Sequence, residues 1–295
     1  MIVVTGARGF VGRATCDALR ATGSRLITIG RDTNSDIQWP ESGDFSPEVI
    51  ARLSGVRAVI HLAGESIGVR WTPAIKRVIM TSRAVNTATL ARALTSISPR
   101  PSTLLSASAV GYYGSRGDEW LDESSASGDD FLSGVTRAWE NATTPASDAG
   151  IRVVHMRTGV VLGCGGGMLD QVTTPFRLGL GGTLGSGLQW MSWISLADLV
   201  RFIVAAIDDA TIAGAVNLTS PAPVRNTDFT AALGAVLRRP AVIPVPEFAL
   251  RALFGEMADG VLLASQRVRP ARLIASGFAF DHLSVEAALR AALIT

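Results

Sequence analysis

MIVVTGARGFVG, residues 1–12, opens the chain. Ile2 to Val4 form a short apolar run, as a strand buried on both faces requires. Gly6, Gly9 and Gly12 follow at three-residue intervals, and Val11, Ala14, Ala18 and Leu19 then recur with helical spacing until Gly23. A glycine triplet alone is a weak signal, but one that leaves a strand and enters a helix predicts a dinucleotide-binding turn. Gly6 permits the tight turn, Gly9 lets the backbone approach a pyrophosphate, and Gly12 lets helix close on strand. The N-terminus of that helix supplies N–H groups and a positive dipole end for the phosphates, and Phe10 and Val11 are counted with the cofactor-binding residues.

Outward from the turn the chain alternates. Leu26 to Ile29, Ala58 to Leu62, Thr103 to Ser106 and Arg152 to His155 read as further buried strands, with helices over about Pro73 to Leu94 and Phe131 to Ala146. This predicts an α/β fold with a doubly wound parallel sheet. After Arg157 the pattern changes. The stretch Gly163 to Gly187 contains GCGGG and GLGGTLGSG, interrupted by Pro175, Phe176 and Leu178, and is expected to be a folded loop region over a ligand cleft. Asp198 to Ala206 reads as a helix and Ala215 to Leu218 as a returning sheet strand. The expected division is residues 1–158 plus about 195–220 for the nucleotide-binding domain, and 159–194 plus 221–295 for a small α/β substrate lobe.

The second strand speaks to the cofactor. An acid at its end would accept a ribose 2′-hydroxyl, but Gly30 and Arg31 stand there. Arg31 favours a 2′-phosphate through a charge-assisted hydrogen bond, and Arg8 adds a second positive charge. Asp32, one residue on, keeps NAD as the alternative; the expected cofactor is NADP(H).

Composition excludes several classes. The 295 residues are 47% hydrophobic and 18% charged, which is globular and not disordered. A net charge of +2 gives no basic face for nucleic acid. No apolar run has the length of a membrane span, and the strand at Ile2 follows no basic, apolar leader. Cys16 and Cys164 form no CxxC pair, and His61, His155 and His282 lack metal-ligand spacing. A cytoplasmic protein with a small-molecule substrate and no metal is expected. Lys76 is the only lysine, leaving 26 arginines.

With TGARGFVG, HLAGESI, SASAVGYYG, RTGVVLG, PFRLGLGGTLGSGLQWMSWI and GEMADGVLLASQRV in view, the chain resembles the short-chain dehydrogenase/reductase superfamily. Within it, the resemblance is to the atypical, extended-like subgroup of nucleotide-sugar-epimerase-like proteins. The resemblance covers nearly the whole chain. It implies a Rossmann fold, a C-terminal module at about 246–289, and an epimerase or oxidoreductase activity on a small polar substrate such as a nucleotide sugar. It also points to a homodimer or monomer, with Pro73 to Leu94 and Phe131 to Ala146 as the dimer helices.

One departure matters. Working enzymes of the superfamily carry a tyrosine, and a lysine four residues later, on the helix that here reads DFLSGVTRAWE; those positions fall on Leu132 and Thr136. Only Tyr112 and Tyr113 exist, and Lys76 precedes both, so no Tyr-x-x-x-Lys element can occur. Ser108 matches the superfamily's serine. Tyr112 or Tyr113 could replace the lost proton donor, or both could pack the cleft wall. Leu62, Ala63 and Gly64 should pass the adenosine ribose. Arg83 should reach a cofactor phosphate, with a surface ion pair as the alternative. Glu65 could bond cofactor or substrate, or sit in a solvated loop.

On the substrate side, Arg157, Arg177, Gln189, Trp190 and Trp193 gather around the glycine-rich stretch and would suit an anionic or ring-shaped ligand. The tryptophans could equally be core and Asp198 a helix cap. The acidic run Asp118 to Glu123 is expected to be a solvated loop. Two functions remain open: an NADP-dependent oxidoreductase or epimerase, and an NADP(H)-binding regulatory or structural protein without turnover.

Overall fold

The computed structural model describes residues 1–41 and 43–294. Strand β1 (Ile2–Thr5) leads into α1 (Phe10–Ala21), β2 (Leu26–Gly30), β3 (Ile37–Gln38), α2 (Pro47–Arg52) and β4 (Ala58–His61). Helix α3 (Pro73–Met80) runs through a π-helical turn, Thr81–Val85, into α4 (Asn86–Thr95). Then come β5 (Thr103–Ala109), β6 (Trp120–Leu121), α5 (Phe131–Asn141), α6 (Thr144–Asp148) and β7 (Arg152–Thr158). The second half holds β8 (Val160–Leu162), α7 (Gly167–Arg177), β9 (Trp190–Met191), β10 (Trp193–Ser195), α8 (Leu196–Asp208), β11 (Gly214–Leu218), β12 (Val224–Arg225) and α9 (Asn226–Leu237). It ends with α10 (Glu247–Phe254), a second π turn at Ala258–Leu262, β13 (Arg267–Val268), α11 (Ala271–Ala275) and α12 (Val285–Leu293).

Seven strands form one parallel sheet in the order β11-β7-β5-β4-β1-β2-β3. The doubly wound fold class is the one the strand–helix alternation predicts. Alternate residues of each strand feed opposite faces. Ile2, Val4, Ile60 and Leu105 pack beneath α1 and α8, while Val3, Val59 and Leu104 pack beneath α4. The chain builds outward from β1 to β2 and β3, then returns to β1's other side at β4. That reversal opens a crevice at the strands' carboxyl ends, where α/β sheets bind ligands.

Two expected elements differ. The helix expected over Phe131 to Ala146 breaks after Asn141 and restarts at Thr144, where Pro145 occupies a first-turn position that needs no N–H partner. Within the supposed loop region, residues 167–177 form α7, with Leu169, Thr173 and Phe176 buried. Glycines before it and Pro175 in its last turn conceal that helical spacing. The remaining glycines of the stretch allow backbones to touch: a Cβ at Gly182 would lie 1.8 Å from the Ile243 carbonyl oxygen.

The first half of the acidic run, Asp118 to Trp120, is exposed as a solvated loop would be, but its side chains are paired and its second half, Leu121 to Glu123, is drawn in against the fold. Asp118 accepts a hydrogen bond from Trp190 Nε1 (2.7 Å) and pairs with Arg225 (3.0 Å), and Asp122 pairs with Arg269 (2.7 Å). Glu123 Oε1 accepts from the backbone N–H groups of Asn217 (3.0 Å) and Arg272 (3.3 Å). β6, inside the run, pairs with β13. The run is therefore a seam joining the C-terminal segment to the sheet. Beyond it, Leu273 enters the core beside Phe202 and Val216, with Phe278 and Phe280 against it. Asp198 belongs to the same attachment. Ser195 is the actual cap of α8, and the buried Asp198 carboxylate accepts from Ser195, Arg201 and the backbone N–H of Asp281.

Removing the Glu123 carboxylate strands two backbone donors, which costs roughly 2 kcal/mol or more. Glu123→Ala is expected to lower the thermal midpoint and to accelerate amide exchange over residues 267–282. Unchanged exchange there would show that the seam does not hold the segment.

Candidate functional site: two joined cavities at the sheet's carboxyl edge

The first cavity, of about 900 Å³, lies over the switch point between β1 and β4. Of the residues named from sequence for the cofactor, Gly6, Arg8, Gly9, Gly30, Arg31, Leu62, Ala63 and Gly64 line it, and Phe10, Val11, Gly12 and Arg83 do not. Gly6 has φ of 69°, and a Cβ at Gly12 would stand 2.0 Å from the Gly6 carbonyl oxygen, so neither position admits a side chain. Trp39, Asn34 and Asn86 also line the cavity. They lie outside every motif, and only the two-residue β3, leading to Trp39, carries that ring to the edge.

Polar groups beneath the turn are fully used. Thr5 Oγ1 bonds His61 Nδ1 at 2.7 Å and accepts from the Ala63 N–H at 3.3 Å, while His61 Nε2 bonds Thr87 Oγ1 at 2.8 Å. Burial pushes the His61 imidazole down to about 4, so it is neutral at physiological pH.

Charges at the cavity mouth come in pairs. Arg8 meets Asp32 at 2.7 Å, and its hydrogen bond holds the Asp32 carboxyl below the usual range. Arg31 meets Glu65 at 2.5 Å across the end of β1. Arg83 forms no ion pair among the described residues. It leaves the π turn beneath Gly64, donates to the Glu65 carbonyl at 2.9 Å and lies 5.0 Å from the Trp139 ring. Burial lowers its pKa to about 10. This is a half-buried cation that forms no ion pair among the described residues, not the surface pair considered from sequence.

The second cavity, of about 610 Å³, shares Glu65 with the lining of the first and runs from Val11 and Arg83 between α7, α9 and the second π turn. Ile67, Val110, Met168, Phe176, Met191, Phe229, Met257 and Leu262 supply most of its wall. Gln189 and Trp190 line it, and of the other residues named from sequence for the substrate only Glu65 does. The outer faces of Trp190 carry Arg225 and Arg267, at 4.6 and 4.2 Å from the ring. Trp193 is core, its Nε1 donating to the Ala222 carbonyl at 2.8 Å.

The candidate catalytic residues sit elsewhere. Buried Arg157 grips Glu140 through Nε and Nη2 at 2.8 and 2.9 Å. Ser108 donates its hydroxyl to Glu140 at 2.6 Å, so its proton is committed. Tyr113 is fully buried, donates to Asn217 Oδ1 at 2.7 Å and accepts from Arg157 at 3.1 Å. Burial pushes its hydroxyl up to about 12, well above the range of a neutral-pH base. Tyr112 lies flat against the Arg157 guanidinium at 3.5 Å. None of these residues lines either cavity. Burial opposes the Glu140 charge, but Arg157 and Ser108 outweigh it and hold the carboxyl below its usual range. Arg157 is thus engaged in a buried ion pair and lines neither cavity. Arg177 is exposed at the end of α7, outside the cavity. Leu132 and Thr136 occupy the places of the absent pair; Thr136 donates to the Leu132 carbonyl at 2.7 Å.

A glycine turn at the switch point with a second cavity beside it is the arrangement of a dinucleotide-binding α/β protein. Residues 2–218 match the NAD dependent epimerase/dehydratase family, and residues 245–292 match a domain of unknown function, DUF1731. The chain belongs to the NAD dependent epimerase/dehydratase family. It is 43% identical over 294 residues to epimerase family protein Mb2239 of Mycobacterium bovis, covering 98% of this chain and 96% of that one. The crystal structure of human epimerase family protein SDR39U1 with NADPH is similar at TM-score 0.91 and 34% identity, covering 99% and 98% of the two chains. A nucleoside-diphosphate sugar epimerase from Corynebacterium glutamicum is similar at TM-score 0.82 and 38% identity, covering 99% of this chain and 57% of that one. No helix among the described residues is long and apolar enough to cross a membrane.

Two outcomes follow for the buried groups. Glu140→Ala leaves Arg157 uncompensated and is expected to cost about 3–5 kcal/mol of stability, while the double replacement Glu140→Leu/Arg157→Met recovers most of it. Denaturant midpoints check this; equal loss in the single and double variants would contradict it. For His61, the folded state resists a proton that the unfolded chain accepts near pH 6.5. The stability it contributes is present above pH 6.5 and is lost as pH falls toward 4, up to roughly 3 kcal/mol. His61→Gln is expected to flatten the pH dependence of the midpoint in that window.

Proposed function

We propose that the chain binds NADP(H) along the carboxyl edge of the sheet and transfers hydride to or from a small molecule held in the second cavity. The observation that supports this most is that the two cavities share Glu65 in their linings. A protein that only stored a dinucleotide would need no ligand-sized chamber opening beside it.

The residues present suit the cofactor. Gly6, Gly9 and the Leu62–Gly64 backbone form a cradle that side chains would fill. Arg8 and Arg31 can exchange their carboxylate partners for a 2′-phosphate, and Arg83 has a half-buried charge free for a phosphate oxygen. The NADPH bound to the human relative agrees with this choice. When bound, the cofactor supplies or accepts a hydride. With Ser108 and Tyr113 committed, Glu65 is the one carboxyl lining the second cavity, and proton exchange falls to it and to solvent.

A second reading is NADP(H) binding without turnover. It is favoured by the same commitment of Ser108 and Tyr113 and by Leu132 at the tyrosine position. Calorimetric titration with NADPH and NADH, followed by NADPH absorbance in the presence of carbonyl compounds, tests both. Oxidation of NADPH by at least one carbonyl is expected; tight binding with no oxidation across the panel would favour the second reading.

Arg8→Ala and Arg31→Ala are each expected to weaken NADPH binding by about tenfold, roughly one charge-assisted contact, and NADH binding much less. Arg83→Gln is expected to weaken both nucleotides alike. Equal losses for NADPH and NADH in the Arg31 variant would remove it from 2′-phosphate recognition.

A further inference from the structure

We infer that the second cavity takes an uncharged, largely apolar ring compound bearing a hydroxyl or carbonyl, and not a nucleotide sugar or another anion. The inference rests on the hydride-transfer reading and names its substrate class.

The charge inventory is the main argument. Only two charged side chains line the cavity, Glu65 and Arg83, both at the end shared with the dinucleotide site. Arg83 is held there by the Glu65 carbonyl, and the Glu65 carboxylate faces Arg31. No cation remains deeper in the chamber among the described residues. A diphosphate moved from water into such a space would lose its hydration with nothing to replace it, and the Glu65 charge at the entrance would oppose it. The arginines nearby are unavailable: Arg157 is sealed against Glu140, Arg177 is in solvent, and Arg225 and Arg267 lie against the Trp190 ring without lining the cavity.

The wall chemistry points the same way. Phe176, Phe229 and Leu262 provide flat apolar surface, and Met168, Met191 and Met257 provide side chains that conform to a ring's outline. Two neutral groups can fix its orientation. Gln189 spends its amide nitrogen on the carbonyls of Leu184 (3.0 Å) and Leu262 (3.2 Å), leaving its oxygen as an acceptor. Asn226 spends its oxygen on the Leu184 N–H (2.8 Å), leaving its amide nitrogen as a donor. An acceptor and a donor without charge match a hydroxyl or carbonyl on an apolar frame.

The test uses the full chain and prodan, a neutral naphthyl ketone whose emission shifts blue in apolar surroundings. With NADP⁺ present, saturable binding is expected, displaced by the neutral ketone 1-tetralone but not by UDP-glucose at hundredfold excess. Ala264→Phe, which narrows the cavity, is expected to weaken prodan at least tenfold while NADPH affinity stays within twofold. Val172→Phe on α7 serves the same purpose if the first variant does not fold. Displacement by UDP-glucose, equal prodan binding by wild type and both variants, or no saturable binding would each overturn the inference. Saturable, 1-tetralone-sensitive prodan binding in a wild type that fails to bind NADPH would overturn the cofactor reading and leave the cavity assignment standing.

Discussion

The Arg157–Glu140 pair is the constraint around which the site is arranged. It joins the end of β7 to the last turn of α5 by two parallel hydrogen bonds in a dry setting. An ion pair in such a place persists only if its remaining lone pairs and protons are satisfied. The Ser108 hydroxyl, the Tyr113 hydroxyl and the Tyr112 ring face meet that demand. The groups that could have performed acid–base work at the end of β5 are thereby turned into supports. The tyrosine–lysine positions on α5 hold Leu132 and Thr136, so the helix contributes packing there and no titratable group.

What remains is a division of labour along one edge of the sheet. The first cavity is polar and charge-paired, and the second is apolar with neutral amides. Both use a π-helical turn. Thr81–Val85 carries Arg83 to the junction, and Ala258–Leu262 brings Val261 and Leu262 into the second wall. An extra residue in a turn shifts the side chains after it out of the helix's ordinary register, and such turns recur where function requires an otherwise inaccessible direction.

The sheet was legible in the sequence because it rests on local signals: apolar strands, helical spacing, and glycines leaving a strand. The same local logic identified Gly6, Gly12, Leu62, Gly64, Gln189 and Trp190 as lining or shaping residues. It also excluded a Tyr-x-x-x-Lys element, since that needs only counting. Long-range commitments could not be read this way. Nothing about Glu140 and Arg157, seventeen positions apart on a helix and a strand, announces that they meet. Nor does the composition of residues 118–123 show that its carboxylates face backbone N–H groups and arginines drawn from elsewhere in the chain. α7 was hidden by the glycines and proline that its tight surroundings require.

The seam at residues 118–123 bears on how the whole chain behaves as a material object. Its carboxylates hold Arg269 and the backbone of Arg272, next to Leu273, which enters the core beneath the sheet. Fold and tail therefore share one cooperative unit: the apolar surface buried by the last part of the chain is surface of the first. The chamber wall at Ala258–Leu262 is followed by β13, which pairs with β6 in a separate two-stranded sheet, and Glu123 just after β6 accepts from Asn217 of β11. The chamber wall and the nucleotide-binding sheet are in this way connected through continuous hydrogen bonds and packing.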